Sequence, residues 1–303
     1  MSNTKYLIAV VGPTASGKTA LAIKLAQRFN TAIISADSRQ FYSELIVGVA
    51  RPSKEELGAA PHYFIADRSV KNLLTAGQFE KEALTLLDEL YKEYDVVIVC
   101  GGSGLFINTL VYGADPMPEA DEELRQSLQQ QFDEKGIEYL QQELQRLDPE
   151  YYKQVDKQNP LRLMRAIEVC TVTGQPYSAQ RKSEKKERPF KTVFIGLDPG
   201  REELYNNINL RVDRMMKDGF LAEAHSLVQW KDLAALQTVG YRELFDYFEG
   251  HDTIAAAVEL IKRNSRRYAK RQMTWFNRNE EIKWFNPADV KEVIAYTEQQ
   301  LSL

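Results

Sequence analysis

Apolar residues in the first part of the chain come in short, nearly unbroken runs. Tyr6 to Val11, Ala32 to Ala36 and Asp95 to Cys100 are rich in Val, Ile and Ala, and such runs read as strands covered on both faces. Between the last two, Phe79, Ala83, Leu86, Leu87, Leu90 and Tyr91 recur at helical spacing, which predicts the crossover helix that parallel pairing requires. The pattern changes after Ala114. Asp115-Pro116-Met117-Pro118 opens a polar stretch rich in Gln and Glu, with Leu124, Leu128, Phe132, Tyr139, Leu140 and Leu144 along it. A β-like run returns at Lys191 to Leu197, and from Arg201 onward the pattern is helical apart from Ile282 to Phe285, which predicts a last edge strand. The expected fold class is α/β, a parallel sheet flanked by helices. Residues 1–114 and 190–303 would form the core, with an all-helical subdomain inserted at 115–189.

The first strand runs straight into Gly12-Pro13-Thr14-Ala15-Ser16-Gly17-Lys18-Thr19, and an amphipathic run through Leu21, Leu25 and Phe29 follows. Strand, glycine-rich loop and helix in this order form a phosphate-binding loop (P-loop) of the nucleotide-binding type. Its backbone amides converge on an anion, Lys18 adds a positive charge, and the Thr19 hydroxyl can hold a divalent metal, with Mg2+ the expected ion. The positive end of the helix dipole points the same way. A di- or triphosphate is the predicted ligand. Ligands in such sheets sit at the carboxyl ends of strands, which would gather the loop, Asp37 and Ser103 around one crevice. Most P-loop enzymes that hydrolyse a nucleotide carry a metal-binding acid at the end of a later strand. Here Val96 to Cys100 ends in Gly101-Gly102, and Asp37 is the carboxylate at a strand end beside the loop. It could cap a following helix, ligate metal or act as a general base.

Composition narrows the classes. The 303 residues are 44% apolar, enough for an ordinary core. No stretch approaches the ~20 apolar residues of a membrane span, and Met1 to Lys5 leads into the first strand without signal-peptide architecture, so a cytoplasmic protein is expected. Cys100 and Cys170 are far apart and lie in apolar settings, while His62, His225 and His251 are scattered; neither a disulfide nor a zinc site is predicted. The net charge of −4 hides two locally basic stretches, Arg181 to Arg188 and Lys262 to Arg271. In the second, Arg263, Arg267 and Lys270 share one side of a helix and Ile261, Tyr268 and Trp275 another, which suits a core-packed helix presenting a basic ridge to phosphates.

These residues resemble the tRNA dimethylallyltransferase (tRNA isopentenyltransferase) family over nearly the whole chain. Gly12 to Thr19 is similar to the family's phosphate loop, Asp37-Ser38-Arg39-Gln40-Phe41-Tyr42 to its Asp-Ser-x-Gln-x-Tyr block, and Gly101-Gly102-Ser103-Gly104-Leu105 to its Gly-Gly-Thr/Ser segment. Pro160 to Glu168 resembles its Arg-Leu-x-Arg-Ala-Leu-Glu helix; Gly240 to Leu244 and Arg266 to Phe276 match its closing signatures, the last being the most specific. The chain departs from the family at Gly48-Val49-Ala50-Arg51-Pro52, usually Gly-Thr-Ala-Lys-Pro, at His62-Tyr63, usually two histidines, and at Leu161, commonly glutamine. The set of motifs looks like the bacterial form.

The resemblance implies transfer of a dimethylallyl group from dimethylallyl diphosphate to N6 of the adenosine immediately 3′ of a tRNA anticodon. Lys18, Thr19 and the loop amides are then assigned to the diphosphate and its Mg2+. Arg211, which shares a helix face with Asn207 and Arg214, is assigned as a second clamp. Asp37 is the candidate base for the N6 proton, and Ser103 a candidate hydrogen-bonding group for the flipped nucleotide. Asp37, Ser38, Arg39, Gln40 and Ser103 would line the mouth of the site. Arg125 with Leu161, Arg162, Leu163, Met164 and Arg165 would grip the anticodon stem-loop. No membrane and no obligate protein partner is called for, and a monomer is the default. Three other readings share features of the chain: an isopentenyltransferase acting on free adenine nucleotide, a P-loop small-molecule kinase, and a non-catalytic RNA-binding protein. The helical insertion and the acid-free strand at Val96 to Cys100 weigh against the kinase, and the intact phosphate loop against the last.

Overall fold

The structure, a computed structural model, describes residues 4–119, 121–181 and 184–301. Met1, Ser2 and Asn3 of the N-terminal lead, and Lys182 and Ser183 of the first basic stretch, lie outside the described residues. The chain forms two compact units, Met1–Tyr112 with Glu187–Leu303, and Gly113–Lys186.

The first unit opens with β1 (Tyr6–Val11), α1 (Lys18–Phe29), β2 (Ile33–Ser35), α2 (Lys54–Ala59), β3 (His62–Tyr63), α3 (Ala76–Leu90), β4 (Val96–Gly101) and α4 (Gly104–Tyr112). The second unit consists of α5 (Glu122–Lys135), α6 (Ile137–Leu147), α7 (Pro149–Gln154), α8 (Pro160–Thr173) and α9 (Tyr177–Gln180). The chain then returns to the first unit with β5 (Lys191–Leu197), α10 (Arg201–Lys217), α11 (Phe220–Ser226), α12 (Tyr241–Phe248), α13 (Ile254–Phe276), β6 (Lys283–Phe285) and α14 (Val290–Leu301).

Among the described residues the strands make one six-stranded sheet of order β3-β2-β4-β1-β5-β6, parallel throughout. The fold is therefore α/β. The two-residue period of the strands decides what each face buries. Leu7, Ala9, Val11, Val97 and Val99 face a cluster that includes Phe41, Phe79, Phe106 and Ile261. Ile8, Val10, Ile98 and Ile195 face Leu21 and Leu25 of α1 and Val293 and Leu301 of α14. Both faces being covered is what made β1, β4 and β5 read as unbroken apolar runs. β3 is two residues long on one edge and carries no such run; β6 forms the other edge.

The second unit buries Leu128, Leu140, Leu144, Leu163 and Ile167 in a core of its own. Its first helical stretch is two helices rather than one, because Gly136 stands at φ 76°, a positive-φ conformation that glycine adopts freely and that stops α5 before α6 begins. Asp148, only 1% exposed, starts α7 by accepting the Tyr151 amide at 2.9 Å, and also holds Ser178 through its amide at 2.6 Å and its hydroxyl at 2.9 Å.

Candidate functional site

The turn from β1 into α1 uses backbone conformations that few residues adopt. Ala15 (φ 63°) and Gly17 (φ 86°) take left-handed conformations that curl the loop. Gly12 is required for a different reason: a Cβ there would lie 2.7 Å from the Leu197 carbonyl of β5. Gly12 and Pro13 accordingly do not line the cleft above the loop, whereas Thr14 to Thr19 do. Ser16 Oγ is buried without a hydrogen-bond partner, and a buried hydroxyl of this kind calls for a polar ligand.

The cleft has a volume of about 450 Å³ and a mixed polar and apolar lining. That lining includes Lys18, Thr19, Asp37, Arg211 and Arg214 together with Val49, Val212, Met215, Val239 and Ile261. The Lys18 ammonium donates to the Pro13 carbonyl at 2.6 Å, so the lysine folds back over its own loop. Burial lowers its pKa to about 8; repulsion from Arg211 adds to this, while Cys100 and Asp37 oppose it. Burial lowers the Arg211 pKa as well, with Asp37 opposing. Two partly buried cations thus share one neighbouring carboxylate, an arrangement that favours binding a multivalent anion.

Asp37 follows β2 and starts a tight turn rather than a helix: its Oδ1 accepts the Arg39 amide at 3.0 Å, and Gln40 N–H bonds the Asp37 carbonyl at 3.1 Å. The helix-cap alternative is thereby removed. The turn fixes one carboxylate oxygen and leaves the other available to the cleft. Arg39 and Gln40 line the cleft beside it, whereas Ser38 and Ser103 do not. The two serines are joined to each other, the Ser38 amide donating to Ser103 Oγ at 3.0 Å and that hydroxyl donating to Ser38 Oγ at 3.1 Å. Ser103 therefore holds the Asp37 turn against the end of β4. The Thr19 hydroxyl offers a hard oxygen donor on the cleft, which fits Mg2+ together with diphosphate oxygens. Cys100 also lines the cleft, its thiol pushed up to about 12 by burial, and so is no nucleophile near neutral pH.

Gln272 of α13, not singled out as a site residue from the sequence, ties the loop to the rest of the site. Its Oε1 accepts the Thr14 amide at 2.9 Å and its Nε2 donates to the Gly102 carbonyl at 2.9 Å. A Cβ on Gly102 would lie 2.3 Å from that amide nitrogen, and one on Gly104 2.2 Å from Trp275. The two glycines after β4 are needed so that α13 can approach. Tyr268, also on α13, lines the cleft, and burial together with Asp37 raises its phenol pKa. On the same helix Lys262 pairs with Asp213 and Arg266 with Asn209, which leaves Arg263, Arg267, Lys270 and Arg271 as the exposed basic residues.

In the second unit, the residues expected to grip RNA separate into two kinds. Leu161 (73% exposed) and Arg162 face outward, while Leu163 and Met164 are buried in the helical core, so their side chains cannot reach an RNA. Arg125 and Arg165 both pair with Glu168, itself 1% exposed: Arg125 reaches it at 3.2 Å and Arg165 at 2.9 Å. The Asp121 amide donates to the same carboxylate at 2.8 Å. These arginines hold α5 to α8 whatever else they contact.

The chain as a whole is similar to known proteins. The IPP transferase family model matches residues 40–279. A tRNA dimethylallyltransferase of Cytophaga hutchinsonii is 50% identical over 297 residues, covering 98% of each chain. The solved tRNA isopentenylpyrophosphate transferase of Bacillus halodurans is 32% identical with a TM-score of 0.73, covering 98% of this chain and 97% of its own. Its counterpart from Staphylococcus epidermidis is likewise 32% identical, with a TM-score of 0.70 and coverage of 98% and 99%.

Proposed function

The chain belongs to the IPP transferase family, and from that premise we propose that it transfers a dimethylallyl group from dimethylallyl diphosphate to N6 of the adenosine 3′-adjacent to the anticodon of tRNA, releasing diphosphate. The observation that carries this reading is the lining of the cleft, which combines a phosphate loop, two partly buried cations and a carboxylate with apolar side chains such as Val49, Met215 and Ile261. A diphosphate with a short hydrocarbon tail matches a lining of that mixture.

An allylic carbon bound to diphosphate is displaced when the leaving group's charge is stabilised. Loop amides, Lys18 and Arg211 would meet the developing charge. Mg2+, held by Thr19 and the diphosphate oxygens, would neutralise more of it. The N6 lone pair forms the new C–N bond as the C–O bond breaks, the electron pair leaves with the diphosphate, and Asp37 takes the N6 proton. An exocyclic amine conjugated to a purine is a weak nucleophile, so a positioned base matters. The adenosine has to leave its stack to reach the cleft. Arg39, Gln40 and the exposed basic residues of α13 would receive the RNA backbone, with Leu161 and Arg162 of the inserted unit as further candidates. The protein would act in the cytoplasm, as a monomer by default.

Incubation with labelled dimethylallyl diphosphate and either unmodified tRNA or adenosine monophosphate tests the reading. Label in the adenosine beside the anticodon, without ATP consumption, is the expected result. Label in the mononucleotide alone, or stoichiometric ATP hydrolysis, would replace it with the free-nucleotide transferase or the kinase.

A further inference from the structure

The segment between β2 and α2 follows Asp37 and supplies Gly48, Val49 and Ala50 to the cleft wall. It has almost no regular structure, and Ala50 takes a left-handed conformation (φ 44°). It makes a few turn bonds of its own, Ala50 N–H to the Val47 carbonyl at 2.9 Å and Arg51 N–H to the Ile46 carbonyl at 3.0 Å, and several of its other backbone groups are satisfied by side chains. Its carbonyls at Tyr42, Ser43 and Leu45 accept from one nitrogen of Arg51 at 2.9, 2.8 and 2.7 Å. Its amides are held by a residue far along the chain. Glu223 of α11 accepts the Ile46 and Val47 amides on Oε2 at 3.0 and 2.7 Å, and the Gly48 amide on Oε1 at 2.9 Å.

The Tyr241 hydroxyl of α12 completes the carboxylate's set, donating to Glu223 Oε1 at 2.6 Å. Tyr241 is fully buried and its ring stacks edge-on against Phe220 at 5.0 Å, so this donor cannot drift. Gly48 fits beneath the same rings, where a Cβ would come within 2.3 Å of Phe220 and 2.5 Å of the Tyr241 hydroxyl. One residue further on, the Val49 carbonyl accepts Arg211 Nη2 at 3.1 Å. A continuous chain of bonds therefore runs from Tyr241 through Glu223 and the Gly48–Val49 backbone to the Arg211 guanidinium in the cleft.

We propose that Glu223 is a positioning residue for the prenyl donor: with Tyr241 it locks the 46–48 backbone so that the Val49 carbonyl holds Arg211 toward the diphosphate and Gly48 and Val49 keep their place in the cleft lining. This rests on the donor reading of the cleft given above. Glu223 does not itself line the cleft, and its effect has to pass through the loop. Carboxylate chemistry is needed because both oxygens only accept. In Glu223→Gln an NH2 group would face either the Ile46 and Val47 amides or the Gly48 amide, so at least one donor would lose its acceptor. Tyr241→Phe removes one bond and leaves the three backbone amides paired.

The test compares Glu223→Ala, Glu223→Gln and Tyr241→Phe with the unaltered protein in steady-state transfer, in hydrogen exchange of the Ile46, Val47 and Gly48 amides, and in thermal unfolding. Charge-assisted bonds of this number predict about a tenfold or larger rise in KM for dimethylallyl diphosphate in Glu223→Ala, and a smaller rise in the other two. KM for tRNA should change little, and exchange should quicken at residues 46–48 in the same order. Folded variants with an unchanged donor KM, or with donor and tRNA constants altered equally, would overturn the proposal. If Glu223→Ala does not fold, Tyr241→Phe and Glu223→Gln carry the same comparison. Hydrogen exchange reads the lock without reference to any substrate: quickened exchange in a protein whose unaltered form does not use this donor would discard the donor reading and leave the lock in place.

Discussion

The depressed Lys18 pKa makes donor binding pH-dependent in a direction that can be worked out in advance. In the free cleft burial holds the ammonium pKa at about 8. A bound diphosphate restores a counter-charge, which raises the pKa toward the ordinary lysine value of ~10.4. Binding then selects the protonated form, so above pH 8 the donor has to bring a proton with it. With a free value of about 8, the dissociation constant should rise about tenfold between pH 7 and pH 9, and binding at pH 8 should take up about half a proton. The donor's own phosphate ionisation, with a second pKa of ~6, is complete below this window. Arg211 stays charged across it despite its lowered pKa, because guanidinium values lie far higher. Titration calorimetry between pH 7 and 9.5, in pairs of buffers of different ionisation enthalpy, measures both quantities. Lys18→Ala should bind more weakly throughout and lose the proton uptake. Fold stability should move the other way: the unfolded chain holds more protons than the native one between pH 8 and ~10.4, so Lys18 contributes increasing stability as pH rises through that range. A dissociation constant flat from pH 7 to 9, or a slope that survives in Lys18→Ala, would refute the reasoning.

Two further substitutions separate chemistry from scaffold. Asp37→Asn keeps the Oδ1 acceptor for the Arg39 amide but loses basicity, so single-turnover transfer should fall by ~10²-fold or more while donor and tRNA affinities hold; a near-normal rate would remove Asp37 from the reaction. Arg125→Ala with Arg165→Ala should strip both ion-pair partners from the buried Glu168 carboxylate and cost ~3–5 kcal/mol in chemical denaturation, toward the low end because both arginines are partly exposed. An unchanged denaturation midpoint in that double variant would show that the pair is dispensable to α5 and α8, and would free any loss of tRNA affinity to be read as RNA contact.

What the sequence disclosed depended on how far apart the cooperating residues lie. β1, β4 and β5 were legible because a strand covered on both faces carries its signature within six or seven residues, and the phosphate loop because all its parts are contiguous. Asp37 was found for the same reason, since the end of β2 and the turn after it are adjacent. β3 escaped because two residues on a sheet edge hold no period at all. The boundaries of the inserted unit were placed at 115 and 189 from a shift in composition, against 113 and 186 in the structure, and composition cannot resolve a change of two or three residues. The supports of the site were out of reach. Gln272 meets Thr14 across 258 positions and Glu223 meets Val47 across 176, and an amide or carboxylate on a polar helix face gives no sign of which distant backbone it satisfies. The pairing of Arg125 and Arg165 was missed for a related reason: their positive charge was visible and their buried partner was not, although Glu168 stands three residues after Arg165 and offered a local clue. Leu163 and Met164 followed from treating a motif as a continuous surface, when a helix turns successive residues through about 100° and hides part of any such run. On the proposed reading, Lys18 and Asp37 sit in short local motifs while their orientation, and that of Arg211, is set by long-range contacts, and substitutions at Gln272, Glu223 and Tyr241 should alter how well the three are aimed without changing what they can do.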